Sequence, residues 1–222
     1  MAAARPAAEA FFEAARKGDL AQLASLLEAD PSLISARNSS GQTALILSKY
    51  HRQQAAAEWL LERSPELSIF EACAAGALDM VRAIVAGRGS KVIDSHAADG
   101  FTPLSLACFF GNRDVAEFLV NQGANVNLAA TNPMMVAPLH AAVASRQPEI
   151  VRILVEAGAD VNQPQQQGWR PLHAAAQNGD EESVKLLLAH GADRAARADN
   201  YQTALDLALL KGQGGVVALL EE

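Results

Sequence analysis

The sequence predicts an all-α solenoid of about seven stacked helical hairpins. Half of the 222 residues are apolar, about a fifth are alanine and only 5% are aromatic, a composition that favours closely packed helices over a β-sandwich or barrel. Extending the register of the repeat to the amino terminus gives seven units, with one short interval of 24 residues between the second and third. The clearest units begin at intervals of 35, 33 and 33 residues, at Pro103-Leu104, Pro138-Leu139, Pro171-Leu172 and Ala204-Leu205.

The first helix of each unit carries two aligned columns. The first column is Phe11, Leu45, Ile69, Leu104, Leu139, Leu172 and Leu205. Three positions later come Ala14, Ser48, Ala72, Ala107, Ala142, Ala175 and Ala208. We expect the first column to line up in consecutive tiers and the second to mark a place where only a small side chain fits.

The second helix carries a third column, apolar in all seven units and therefore predicted to be buried. It consists of Leu26, Leu60, Ile84, Leu119, Leu154, Leu187 and Leu220. A glycine such as Gly111 ends the first helix and lets the second run back, while Thr102-Pro103 marks a helix start. The predicted units cover approximately 6–37, 38–64, 65–93, 94–127, 128–162, 163–195 and 196–222 of a single domain spanning 1–222.

These motifs resemble the ankyrin repeat. The resemblance is carried by Gly100-Phe101-Thr102-Pro103-Leu104, Pro138-Leu139-His140-Ala141-Ala142, Pro171-Leu172-His173-Ala174-Ala175 and Gly158-Ala159-Asp160-Val161-Asn162. It implies short β-hairpin fingers between successive hairpins, and a concave surface of fingers and first helices that binds other proteins. Three departures stand out: Arg52 replaces an inter-helix glycine, residues 64–68 are too few for a finger, and residues 131–136 predict a longer one.

Composition and motifs narrow the class of protein. A net charge of −7 with scattered basic residues argues against a nucleic-acid partner. The chain shows neither a signal peptide nor a membrane segment, and two cysteines fit a reducing compartment, so we expect a cytoplasmic protein. Because His140 and His173 occupy equivalent positions in adjacent repeats, about 8 to 10 Å apart, they are too far apart to share a metal ion. The resemblance to the ankyrin repeat implies instead that each imidazole bonds to the backbone between units. No cofactor is expected.

No catalytic constellation is evident, and the resemblance to the ankyrin repeat implies a non-catalytic module that binds another protein through the concave groove. The alternatives are an effector or immunity-type inhibitor that masks another protein's active site, and a hydrolase or metal enzyme built on the same groove. Apolar and polar side chains at positions that the repeat leaves variable are the predicted partner-binding residues. They are Phe101, Phe109, Phe110, Met134, Met135, Trp169, Gln177, Asn178 and Tyr201, with Gln165, Gln166 and Gln167 as further polar rim. For Phe109, Phe110 and Trp169 a second interpretation stays open, in which the rings pack against the next finger or fill gaps left by alanine.

Overall fold

The computed structural model describes residues 4–64 and 66–221, with side chains described from residue 6. The described residues form fourteen α-helices in seven consecutive pairs, which confirms the predicted all-α solenoid. The helices are α1 (Ala4–Lys17), α2 (Leu20–Ala29), α3 (Ala44–Tyr50), α4 (Gln54–Arg63), α5 (Ile69–Ala75), α6 (Leu78–Arg88), α7 (Pro103–Phe109), α8 (Arg113–Asn121), α9 (Pro138–Ala144), α10 (Pro148–Glu156), α11 (Pro171–Asn178), α12 (Glu181–Ala189), α13 (Ala204–Lys211) and α14 (Gly214–Glu221). Three short 3₁₀ helices cover Pro31–Ser35, Ser90–Val92 and Gln166–Gly168. The exact bounds of the seven units stay a prediction.

The odd-numbered helices stack into an inner row whose interior is set by the two columns of the first helix. All seven members of the small-residue column are fully buried. Members of the leucine column are buried in the first six units, while Leu205, in the last described pair of helices, is half-buried. Side-chain size in the small-residue column therefore sets how closely neighbouring first helices approach.

The third column, in the outer row of even-numbered helices, is buried at only five of its seven positions. The prediction was wrong for Leu26 and Ile84, which are half-buried. Leu26 lies in the first pair, where only one neighbouring pair covers α2. Ile84 is open because α4 and α6 hardly touch, so the outer row is loose at the third unit.

The segments between pairs contain turns and short 3₁₀ helices, and no strand occurs in the described part of the chain, so the predicted β-hairpin fingers are absent as strands. Each turn closes on very few backbone hydrogen bonds, such as the N–H of Ala97 to the carbonyl of Phe101 at 2.9 Å. Neighbouring fingers are also linked, for example by the N–H of Thr131 to the carbonyl of Gly100 at 3.0 Å. With so few bonds per turn, no β-ladder forms.

The third unit has no finger, and the fingers on either side of it meet. Gln42 Nε2 donates to Asp99 Oδ2 at 3.1 Å, and Gly41 lies against Ala98. A Cβ on Gly41 would lie only 2.2 Å from the Cβ of Ala98. The gap left by the missing finger is therefore bridged, and a cavity of about 260 Å³ lies beneath the bridge, next to the buried side chain of Glu71.

A left-handed residue separates the two helices of every pair. The φ angle is positive at Gly18, Arg52, Gly76, Gly111, Arg146, Gly179 and Gly212. Arg52 and Arg146 adopt φ angles of 57° and 54° at positions where the other five units have glycine. The helix reversal therefore keeps its backbone geometry even where a side chain makes that geometry unfavourable.

Candidate functional site

Three aromatic rings meet at the carboxyl ends of α3 and α7. The ring centroid of Tyr50 lies 5.8 Å from that of Phe109 and 5.1 Å from that of Phe110. Phe109 and Phe110 form an edge-to-face pair at 5.1 Å. Tyr50 belongs to the second unit and the phenylalanines to the fourth, and the third unit places only small residues at these positions, including the buried Ala74. The rings can therefore meet across the third unit; we call them the aromatic triad.

An apolar cavity of about 220 Å³ opens beside the aromatic triad. Phe101, Phe109, Met134 and Val136 line it, and the buried His140 lies at its wall. The side chains of Phe109 and Met134 are 41% and 47% exposed, whereas Phe101 is half-buried. Four predicted residues, Phe101, Phe109, Met134 and the rim residue Gln165, are thus brought together around one cavity.

A second cleft of about 320 Å³ lies on the other side of the triad and is lined in part by basic side chains. Lys49 Nζ lies 5.4 Å above the ring of Phe110, and Arg52 lines the same cleft. Burial lowers the pKa of Lys49, with an opposing influence from the charge of Glu58. Burial raises the pKa of the Tyr50 hydroxyl, and the charge of Asp99 raises it further, so this hydroxyl stays protonated at neutral pH.

The two phenylalanines, which could either contact a partner or pack against the protein itself, differ in how far their rings are buried. Phe110 is half-buried and packs against a small satellite core that contains Ile46, Ala74 and Leu106. Phe109 instead presents its ring to solvent.

The remaining predicted residues lie elsewhere on the fingers and helix ends. Met135 and Tyr201 are 48% and 77% exposed at finger tips, each with a positive φ. Trp169 is half-buried, with its ring centroid 5.9 Å from that of His173. The Asn178 amide donates to the carbonyl of Val143 at 3.2 Å, so it is used in packing between units. Gln177 is half-buried. None of these five lines the apolar cavity.

Sequence reasoning left several residues of this surface off the candidate list. Tyr50 occupies the column of Phe109, and Lys49 and Arg52 flank Tyr50 in the chain. The alignment of the repeats could therefore have identified these three residues as part of the surface. The same alignment also leads to Leu210, which is 70% exposed at the equivalent position of the seventh unit, next to Leu209 at 57%.

His140 holds two neighbouring units together through the backbone, as predicted. Its Nδ1 accepts from the N–H of Ala137 at 3.3 Å, and its Nε2 donates to the carbonyl of Gln163 at 2.9 Å. Burial lowers the pKa of His140 to about 4, so the ring is neutral near pH 7. His173 accepts in the same way from the N–H of Arg170 at 3.1 Å, and burial lowers its pKa too. Within the described ranges, no three His, Cys, Asp or Glu residues are grouped to hold a metal ion.

Comparison with known proteins places this geometry in a family. A family model described as ankyrin repeats in three copies matches residues 69–165 and, overlapping them, 139–222. The chain belongs to the ankyrin-repeat family. Ankyrin repeats are generally protein–protein interaction modules and are typically non-catalytic. The first 68 residues lie outside the matches, although α1 to α4 continue the same stack of helix pairs.

Two curated relatives are similar to part of the chain. The chain is 28% identical over 152 residues to Ankyrin repeat and SAM domain-containing protein 6 of Rattus norvegicus, a stretch that covers 68% of this chain and 14% of the relative. It is 31% identical over 112 residues to Transient receptor potential cation channel subfamily A member 1 of Homo sapiens, covering 49% of this chain and 10% of the relative. The ankyrin-repeat chain thus spans a small part of either relative's length. Among its described helices, none is both long and apolar enough to cross a bilayer.

Proposed function

We propose that this chain is a non-catalytic module that binds another protein at the aromatic triad and the apolar cavity beside it. The observation that carries the proposal is the exposed ring of Phe109 at the mouth of a cavity lined by apolar side chains. Exposed aromatic side chains beside a pocket are typical of the residues that dominate the affinity of protein interfaces.

The size of the cavity favours a protein side chain over a small-molecule ligand. At about 220 Å³ it is smaller than the roughly 300 to 1,000 Å³ of most ligand pockets. Its lining is largely apolar, with the imidazole of His140 already bonded to the backbone on both nitrogens. One apolar side chain of a partner fits these properties better than a polar metabolite does.

The scaffold supports binding because it is already ordered. Phe109 is the last residue of α7, a helix packed between α5 and α9, so it loses little conformational freedom when a partner arrives. Phe101, Phe110, Met134, Met135, Trp169 and Tyr201 stay predicted contacts along the same face, with Gln177 and Asn178 at its polar rim. A concave groove, cytoplasmic localisation and the absence of a membrane or nucleic-acid partner stay predictions as well.

The test compares Phe109→Ala with Leu210→Ala, an exposed apolar residue at the same column of the seventh unit. A partner captured by the wild type from cell extract is purified, and its affinity for each variant is measured by calorimetry. We expect Phe109→Ala to weaken the free energy of binding by about 2 kcal/mol, which is a loss of affinity of about 30-fold. Leu210→Ala should change the affinity little. Equal affinity of Phe109→Ala and wild type would overturn the proposed site, provided that both melt at the same temperature.

A further inference from the structure

Two basic side chains stand beside the aromatic triad without an ion-pair partner. In the part of the chain that the structure describes, neither Lys49 nor Arg52 lies within 4.0 Å of a carboxylate oxygen. The negative charge of Glu58 raises the pKa of Lys49 against the effect of burial. The Glu58 carboxylate already accepts a hydrogen bond from Gln54 Nε2 at 2.6 Å. The cleft around Phe109 and Phe110 is therefore basic, although the whole chain carries a net charge of −7.

The backbone at Arg52 is a second, independent observation. Arg52 adopts a φ of 57° at a position where five units have glycine, a conformation that L side chains rarely adopt. Arg146 occupies the same position in the fifth unit, but its guanidinium donates to the carbonyl of Asn178. The side chain of Arg146 thus links two units, whereas the side chain of Arg52 lines an open cleft. In the described part of the chain, the Arg52 side chain makes no hydrogen bond or ion pair that would account for its strained backbone, which points to a role in binding.

We infer that the partner segment bound at Phe109 is an acidic peptide: one apolar side chain enters the cavity, and carboxylates beside it pair with Lys49 and Arg52. This inference rests on the proposed function and adds the chemistry of the partner. Lys49 is half-buried, so its amine is partly shielded from solvent and an incoming carboxylate can compensate for the lost hydration. The excess of acidic residues over the whole chain also repels an acidic segment from most other surfaces, which favours binding at this cleft.

The experiment starts from a random peptide library displayed on phage and selected on the wild-type protein. Enriched peptides are synthesised with a fluorescent label, and their affinities are measured by anisotropy at low and high salt. The key variants are Arg52→Gly and Arg146→Gly. Both remove one positive charge and one strained φ from the same position of the repeat, but only Arg52 lines the cleft.

We expect enriched peptides to combine an apolar residue with aspartate or glutamate and to lose affinity in Phe109→Ala. Arg52→Gly should lower the affinity of these peptides about fivefold and make that affinity less dependent on salt concentration. Arg146→Gly should leave the affinity and its salt dependence unchanged. Basic or uncharged peptides that still require Phe109, or equal effects of the two arginine variants, would overturn the acidic partner and leave the proposed site standing. Peptides that ignore Phe109, or a selection that enriches none, would count against the proposed site and against this inference with it.

Discussion

The buried imidazole of His140 predicts that the repeat array loses stability as the pH falls. Burial holds the folded pKa of His140 near 4, against an ordinary value of 6.5. The unfolded chain therefore binds a proton at a higher pH than the folded chain does. The contribution of this group is fully present above about pH 6.5 and is lost as the pH falls towards 4, where the folded ring also becomes protonated.

The expected size follows from the gap between the two pKa values. The gap is about 2.5 pKa units, and each unit corresponds to about 1.4 kcal/mol. At pH 5 the folded ring is still mostly neutral, so the loss relative to pH 7.5 is about 2 kcal/mol from His140 alone. Protonation at Nδ1 would also remove the acceptor for the N–H of Ala137.

The assay is urea denaturation, followed by circular dichroism, of wild type and His140→Gln at both pH values. Glutamine keeps a neutral hydrogen-bonding group at this position but does not titrate. The variant should lose about 2 kcal/mol less than wild type between pH 7.5 and pH 5. His51→Gln, which alters an exposed ring, is the control and should follow the wild type. If His140→Gln shows the same pH dependence as wild type, the argument from burial is wrong.

Two further substitutions test the backbone geometry of the fingers by urea denaturation and calorimetry. Gly41→Ala should lower the free energy of unfolding by about 2 to 4 kcal/mol, because the alanine would need a φ of 74° and its Cβ would lie 2.2 Å from that of Ala98. Gly212→Ala, at a φ of 68° with no atom within 4 Å, should cost only about 1 kcal/mol, and equal losses would contradict the close approach of the two fingers. Tyr201→Gly should raise the free energy of unfolding by about 0.5 to 1 kcal/mol, because glycine adopts the φ of 66° without strain. The melting temperature should then rise by roughly 2 °C. An unchanged melting temperature would show that Tyr201 is unstrained.

The repeat pattern predicted local packing well because it depends on side-chain size at each position. The small-residue column is fully buried in every unit, including Ser48, whose hydroxyl donates to the carbonyl of Leu45. The predicted burial of the outer column was wrong at Leu26 and Ile84, because burial at these positions depends on how closely the neighbouring helix pairs approach each other. That spacing is a property of the assembled stack, and no single unit of the sequence encodes it.

The candidate site was predicted in part for the same reason. Phe101, Phe109 and Met134 were identified as outward-facing bulk at variable positions, and they share a cavity. The meeting of Tyr50 with Phe109 was not predicted, because it requires the second and fourth units to approach each other across a third unit with small side chains and no finger. The binding roles of the nine predicted residues stay predictions.

The loose outer row at the third unit has a consequence for how the array unfolds. In a linear stack each hairpin is stabilised mainly by its two neighbours, so the weakest junction decides where cooperativity breaks. Because α4 and α6 hardly touch, the first two hairpins are coupled to the rest mainly through the inner helices and the bridge at Gly41. Melting would then spread from this junction in two blocks, and amide hydrogens of the first two hairpins would exchange with solvent ahead of those in the last five.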